Sequence, residues 1–226
     1  MKKAFTMMEL VFVIVVVGIL SAMIAPNFQR NSLREAADQL ISHIRYTQHL
    51  AMMDDKFDPN DPNWFKRRWT LRLKQDLVYS SSLPPAGTYN NVWTYSIYSD
   101  LPNYASHQPD LAGMAKNPLN TNQYLSGGYN NVLHVKDDKS MKDLRLGEKY
   151  GVANIVFSGG CRSTMKYINF DYLGRPSNSF PGAIPYELAT PGYHKLLTVA
   201  CNITLSNGTK NISIAIEPET GYVHIL

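Results

Sequence analysis

The sequence predicts an α+β fold in which a long N-terminal transmembrane helix packs on an antiparallel β-sheet domain. Up to Met53 the apolar residues form first a continuous run and then a stripe with helical spacing. Beyond Met53 they alternate with polar residues, which is the period of a half-buried strand. We therefore expect four segments, namely a leader at 1–4, a transmembrane helix at 5–25, its amphipathic continuation at 26–53 and a β-rich globular domain at 54–226.

The first helix is predicted from an apolar run between Phe5 and Ala25. At about 1.5 Å per residue, such a run covers roughly 30 Å, which suffices to cross a bilayer core. Two lysines precede the run and favour a cytoplasmic N-terminus. Gly18 and Pro26 lower the helix propensity, and we expect the helix to be flexible or kinked near them.

Glu9 is the one charged residue inside this run. An ionised carboxylate without a partner costs at least a few kcal/mol in a bilayer, so such residues are rare and usually paired. We therefore expect Glu9 to have a specific partner, and the N-terminal amine of another chain fits that role.

The N-terminal residues resemble those of the type IV pilins and the pseudopilins of type II secretion. The shared features are a short basic leader, the small residue Ala4, the motif Phe5-Thr6-x-x-Glu9-Leu10, and an apolar helix with Gly18 and Pro26. The resemblance implies that a prepilin peptidase cuts between Ala4 and Phe5 and methylates the new amine of Phe5. It also implies that Glu9 pairs with the terminal amine of a neighbouring subunit during assembly.

Two later segments, 168–176 and 214–223, resemble the H-type minor pseudopilins and their FimT-like pilin relatives. The resemblance implies a minor pseudopilin, a structural subunit of a type II secretion pseudopilus or a pilus-like filament. Its implied partners are other pilins or pseudopilins, the prepilin peptidase, the inner-membrane assembly platform and an exported substrate. The implied location is the bacterial inner membrane, with a single pass and a periplasmic domain.

Two alternatives remain open at this stage. The first is a minor type IV pilin for adhesion or DNA uptake. The second is a periplasmic binding domain held by a signal anchor. Small residues between Ser21 and Ala25 also resemble a signal-peptidase site, although Glu9 interrupts the apolar run that a signal peptide needs.

The two cysteines, Cys161 and Cys201, fit a disulfide in an exported domain. Two thiols alone cannot complete a tetrahedral zinc site. The alternative is a pair of buried free thiols.

The amphipathic segment that follows Pro26 places Leu33, Leu40 and Ile44 on one face and predicts a helix that ends near Met53. Alternation and turn signals predict the strands. They are expected at 69–74, 92–98, 131–135, 152–157, 165–170, 196–205, 212–216 and 222–226, with a hairpin turn at Asn207-Gly208.

The region 80–149 is rich in tyrosine, asparagine, proline and glycine. Its aromatic residues either pack over the sheet or form a recognition surface, since tyrosine is enriched at interfaces. The residues concerned are Tyr89, Trp93, Tyr95, Tyr98, Tyr104, Tyr124 and Tyr129.

One basic patch, formed by Lys66, Arg67, Arg68 and Arg72, is a candidate anion or nucleic-acid site. The alternative is a solvated strand face. A formal net charge of +4 is too small to argue for nucleic acid by itself, so we do not expect it as a partner.

The aspartates between Asp54 and Pro62 suggest calcium ligands, but the glycine and glutamate of an EF-hand loop are missing, so a solvated loop is preferred. The histidines have no metal-ligand spacing, and no nucleophile elbow or phosphate loop occurs. We therefore expect neither an enzyme nor a bound metal or cofactor.

Overall fold

The computed structural model describes most of the chain after residue 5. The described residues are 6–24, 31–54, 56–61, 64, 67–76, 92–99, 109–129, 132–133, 135, 137–164, 166–178 and 196–226. The chain divides into two compact units, Met1–Asn31 and Ser32–Leu226.

The first unit contains helix α1, Met7–Ile24, which has 18 residues. Among the described residues, no helix has both the length and the hydropathy that crossing a membrane requires. At 1.5 Å per residue, the 18 residues of α1 are about 27 Å long, and the hydrocarbon core of a bilayer is roughly 30 Å thick. The predicted transmembrane helix is therefore wrong, and the single-pass inner-membrane location loses its support.

The second unit begins with helix α2, Ser32–Met53. Its predicted apolar stripe is confirmed, because Leu33, Leu40 and Ile44 are buried. Its predicted end at Met53 is confirmed as well. The single helix expected from 5 to 53 is described as two helices, and Pro26 lies outside the described residues.

The strands form two four-stranded sheets and a small hairpin, and all of the described pairs are antiparallel. The first sheet has the order β2-β1-β6-β7, the second has the order β10-β9-β8-β5, and β3 pairs with β4. A short helix, α3 at Leu146–Tyr150, precedes β5. The strands are β1 Trp69–Asp76, β2 Val92–Ser99, β3 Lys116–Asn117, β4 Asn120–Tyr124, β5 Asn154–Gly159, β6 Tyr167–Phe170, β7 Pro176–Ser177, β8 Cys201–Ser206, β9 Asn211–Ile216 and β10 Val223–Ile225.

Seven of the eight predicted strands overlap β1, β2, β5, β6, β8, β9 and β10. The predicted turn at Asn207-Gly208 is also confirmed, and Gly208 has a φ of 92°. The strand expected at 131–135 is wrong for its described part, where Leu133 makes only an isolated bridge to Tyr129. Residues 131 and 134 lie outside the described residues.

Helix α2 packs against both sheets, and its buried face belongs to the main core. Near the C-terminal end of α2, Gln48 makes hydrogen bonds to segments of both sheets. The Nε2 atom of Gln48 donates to the Gly174 carbonyl at 2.8 Å and to the Thr220 carbonyl at 2.7 Å. Gly174 follows β6, and Thr220 precedes β10, so one amide holds a turn of each sheet beside the helix.

The aromatic residues of the middle region pack inward where the structure describes them. Trp93 and Tyr95 belong to the main core, whereas Tyr98 and Tyr129 form a second cluster with Met114 and Leu133. Packing over the sheet is therefore confirmed for these four aromatic residues. Tyr89 and Tyr104 lie outside the described residues.

Candidate functional site

Helix α1 is apolar around its whole circumference, and its side chains are exposed from Met7 to Ser21. Leu10, Val11, Phe12 and Val13 follow one another around the helix at steps of about 100°, and they are 53%, 57%, 70% and 49% exposed. A helix that is hydrophobic on every side is normally buried, either in a protein core or in a membrane. The exposed surface of α1 therefore needs a partner outside its own compact unit.

Thr6 and Glu9 form a reciprocal cap at the start of α1. The backbone N–H and the hydroxyl of Thr6 each donate to Glu9 Oε2 at 2.9 Å. The backbone N–H of Glu9 donates to Thr6 Oγ1 at 3.3 Å. This is the capping box, in which a threonine and a glutamate three residues later satisfy donors that the first turn leaves unpaired.

The cap explains the charge state of Glu9. Hydrogen bonds from the Thr6 backbone and then from its side chain lower the pKa of Glu9 below its usual value. The carboxylate is therefore ionised at neutral pH, and the positive end of the helix dipole also favours a negative charge there. Both bonds from Thr6 end on Oε2, so among the described residues Thr6 leaves Oε1 available to a cation.

The other predicted residues of this segment are only partly described. Gly18 lies within α1, and a Cβ atom built on it would meet no atom within 4 Å, so the described fold does not require glycine there. Ala4, Phe5 and Pro26 lie outside the described residues, so the predictions for cleavage, methylation and helix flexibility stay predictions.

Cys161 and Cys201 form a disulfide, as predicted, with their Cα atoms 4.6 Å apart. Gly159, the last residue of β5, lies opposite Cys201, the first residue of β8. The disulfide therefore connects the turn after β5 to the start of β8, its neighbour in the sheet. Cys201 is fully buried, and Cys161 packs against the main core. The two free thiols that the sequence left as an alternative are therefore ruled out in this structure.

The predicted basic patch is largely engaged in contacts within the protein. Arg67 Nη2 lies 3.2 Å from Asp61 and 3.8 Å from Asp58. Arg68 Nη1 donates to Ser177 Oγ at 3.4 Å, and Arg72 lies 5.7 Å above the ring of Tyr129. Lys66 lies outside the described residues. These contacts leave less free positive charge for a phosphate than the sequence suggested.

The same ion pairs occupy the loop considered for calcium. Asp58 and Asp61 face Arg67, while Asp54 accepts from Trp69 Nε1 at 2.9 Å and pairs with Lys56 at 2.5 Å. Cations and donors of the protein thus supply the contacts that a metal would make. Within the described part of the chain, no group of three or more metal-binding side chains is present.

A polar network that the sequence reasoning missed lies between α2, β2 and α3. Gln39 Nε2 donates to Tyr95 Oη at 3.0 Å and to the Asp143 carbonyl at 2.7 Å. His43 Nδ1 is 2.6 Å from Tyr95 Oη, and the Tyr150 hydroxyl donates to Gln39 Oε1. Burial lowers the pKa of His43 to about 4, and the nearby Asp143 only partly opposes this effect. His43 is therefore neutral at pH 7 and fits a structural role.

Arg145 is a second residue that the sequence reasoning missed. It is buried, and it donates to the Gly127 carbonyl at 3.2 Å, to Ser140 Oγ at 3.0 Å and to the Val135 carbonyl. Glu148 supplies its counter-charge at 3.1 Å. The guanidinium thus fastens the middle region to the segment that leads into α3, and no reacting group or ligand is needed to explain it.

Comparisons with models of protein families, with curated proteins and with solved structures find no match. The site must therefore be interpreted from its own residues. Its distinctive part is the exposed apolar helix α1 with one capped and ionised carboxylate.

Proposed function

We propose that this chain is a minor pseudopilin, a structural subunit of a type II secretion pseudopilus or a related pilus-like filament. In this role α1 packs among the corresponding helices of other subunits. Glu9 pairs there with the N-terminal amine of a neighbour. The globular unit Ser32–Leu226 meets further partners of the filament.

The observation that carries the proposal is the combination of an all-apolar exposed surface with one ionised carboxylate at its beginning. A helix exposed in this way gains free energy from burial on several sides, at about 25 cal/mol per Å² of apolar surface removed from water. Several neighbouring helices bury it more completely than a single groove can. An amine beside the Oε1 atom of Glu9 would also offset the desolvation of its charge.

The disulfide supports an exported location for the globular unit. Disulfides persist in oxidising compartments such as the periplasm and are rare in the cytosol. Because Cys161–Cys201 lies in the second unit, we propose that this unit functions outside the cytoplasm. The alternative of DNA uptake gains no support from the basic patch, because Arg67 and Arg68 contact Asp61 and Ser177.

Glu9 has two separable roles, and two substitutions distinguish them. Glu9→Gln keeps an amide oxygen that can accept the cap bonds of Thr6, because glutamine also serves in capping boxes, but it removes the charge. Glu9→Val removes both the cap and the charge. Thr6→Ala is the matched control, since it weakens the cap and leaves the carboxylate in place.

The experiment measures how much of each full-length variant is found in filaments sheared from its own host cells, and how much cross-links to other subunits. If Glu9 pairs with an amine, Glu9→Gln and Glu9→Val lose incorporation about equally, and Thr6→Ala loses less. If the glutamate serves only as a cap, Glu9→Gln behaves as wild type while Thr6→Ala and Glu9→Val fail together. Normal incorporation of all three variants would favour a simple anchored domain and refute the proposed assembly role.

A further inference from the structure

The hairpin formed by β3 and β4 carries a highly exposed apolar side chain at its tip. Leu119 is 94% exposed, more than any other large apolar side chain that the structure describes. Its backbone is held in place, because the buried Asn117 accepts from Leu119 N–H through Oδ1 at 3.0 Å and pairs with Asn120 across the hairpin. Single exposed leucines are common on protein surfaces, so Leu119 gains significance only from a cavity that fits it.

A small cavity of this kind, the α2 cavity, lies at the C-terminal end of α2. Its volume is about 30 Å³. A water-sized group takes about 10–15 Å³ of such a cavity, so there is room for the two methyl groups at the end of one leucine. Tyr172 is one of its walls and is 46% exposed, so the cavity reaches the surface. The apolar side chains that line it are Ala51, Trp64, Trp69, Phe170 and Tyr172.

The surface around the α2 cavity is also apolar. Met52, Phe57 and Leu173 are 50%, 60% and 56% exposed. The ring of Phe57 packs edge-on against Trp64 with the centroids 5.2 Å apart. A Cβ atom built on Gly174 would lie 2.9 Å from Met52 Sδ, so the turn that carries Leu173 packs against Met52. Two distant segments of the chain thus meet to form one exposed apolar patch, which is the usual mark of an interaction surface.

The charges beside this patch complement the charge of the hairpin. Asp54 pairs with Lys56, and Asp58 pairs with Arg67. In both pairs the carboxylate is the more exposed partner, at 39% against 27% and at 44% against 14%. Negative charge is therefore the outer charge near the cavity. The hairpin has one charged residue, Lys116, and it is positive.

We infer that Leu119 of one copy of this chain inserts into the α2 cavity of a second copy, with Lys116 beside the carboxylates of Asp54 and Asp58. The second copy is the occupant because the same chain carries both the apolar anchor and a cavity of matching size, with opposite charges next to each. Within one chain the two do not meet, since Leu119 is exposed.

The inferred contact joins two different surfaces and is therefore heterologous. Each joined pair leaves one hairpin and one cavity unused, so the contact repeats head to tail and builds rings or open chains. It involves neither α1 nor Glu9. It thus goes beyond the proposed filament role, and it can fail while that role stands.

Cross-linking of the full chain in non-ionic detergent tests the contact. An amine-reactive cross-linker is added to an equal mixture of unlabelled and isotope-labelled protein. In the docked pair Lys116 lies near Lys56 of the other copy, which lines the cavity, so peptides that join these two lysines should contain one chain of each label. Their absence from the wild-type mixture would overturn the inference.

Two substitutions to aspartate separate the contact from general association. Leu119→Asp removes the anchor and brings a carboxylate to the carboxylates near the cavity, so the yield of the mixed peptides should fall at least about tenfold. Val199→Asp is the matched control, because Val199 is also exposed, at 60%, and lies outside the strands. Its yield should equal that of the wild type, and an equal loss in both variants would refute the specific contact.

A mixture of two variants tests the head-to-tail geometry. Labelled Leu119→Asp keeps an intact cavity, and unlabelled Tyr172→Asp keeps an intact hairpin. The cross-link from Lys116 of the unlabelled chain to Lys56 of the labelled chain should therefore form, and the reverse cross-link should be at least about tenfold rarer. Equal yields in the two directions would contradict a heterologous contact. Because α1 is the same in every protein compared, association through that helix cannot produce the difference.

Discussion

Protonation of His43 should make this protein unstable in mild acid. Tyr95 Oη accepts from Gln39 at 3.0 Å, so its own proton points to His43 Nδ1, 2.6 Å away. The ring therefore carries its proton on Nε2, a tautomer assigned from this network. A second proton on Nδ1 would oppose the hydroxyl proton of Tyr95 and would charge a ring that is largely removed from water.

The magnitude follows from the pKa difference between the two states. The pKa of His43 is about 4 in the folded protein and 6.5 in the unfolded chain. Above pH 6.5 neither state binds the proton, so His43 gives no pH dependence. Between pH 6.5 and pH 4 the unfolded chain takes up the proton and the folded protein does not, so stability falls as the pH falls, by about 3 kcal/mol at pH 4.

Urea unfolding at several pH values between 7 and 4, with the disulfide intact, measures this effect. Carboxylates also titrate in this range, so the wild type is compared with His43→Asn, whose side-chain oxygen can accept from Tyr95 and does not titrate. We expect the wild type to lose about 3 kcal/mol more than His43→Asn between pH 7 and pH 4. If the difference in free energy of unfolding between the wild type and His43→Asn stays constant from pH 7 to pH 4, the reasoning is refuted.

Three further predictions concern other parts of the chain. The double variant Cys161→Ser, Cys201→Ala should lose about 4 kcal/mol in urea unfolding at pH 7, because the bond closes a loop of 40 residues in the unfolded chain; an unchanged midpoint would contradict this entropic account. Arg145→Lys should lose about 2 kcal/mol or more, since an ammonium cannot reproduce a guanidinium that reaches Gly127, Ser140 and Val135 together, whereas Lys139→Ala on the exposed surface should change stability by less than about 0.5 kcal/mol. Mass spectrometry of the N-terminal peptide should find N-methylated Phe5 as the first residue in the host; a chain that starts at Met1 would argue against processing, and a start beyond Ala25 would indicate signal-peptide cleavage.

The amphipathic helix and most strands were predictable because their signals are local. The spacing of Leu33, Leu40 and Ile44 defines the buried face of α2, and alternation defines β1. The strand expected at 131–135 failed where described because a short apolar run flanked by turn residues also fits a loop whose side chains pack inward, as Leu133 does. Periodicity alone does not separate the two.

The polar interior could not be predicted in the same way, because its partners are far apart in the sequence. Gln39 and Tyr150 are separated by 111 residues, and His43 and Tyr95 by 52. Arg145 stands among lysines, aspartates and a glutamate and reads as part of a solvated surface. Only the fold brings three acceptors around its guanidinium. Long-range contacts of this kind require the tertiary structure.

The cap at Thr6 was visible in the sequence, since threonine followed three residues later by glutamate and an apolar run is the signature of a capping box. It changes the argument about Glu9, because a carboxylate that caps its own helix does not by its presence alone require another chain. The geometry nevertheless keeps the second role open. Thr6 bonds to Oε2 and favours the ionised carboxylate, and within the described part of the chain it leaves Oε1 available. The cap that stabilises α1 thus also fixes the position of a negative charge that an amine can approach. Capping and pairing with a neighbour are therefore compatible. Glu9→Gln distinguishes them, because it keeps the cap and removes the charge.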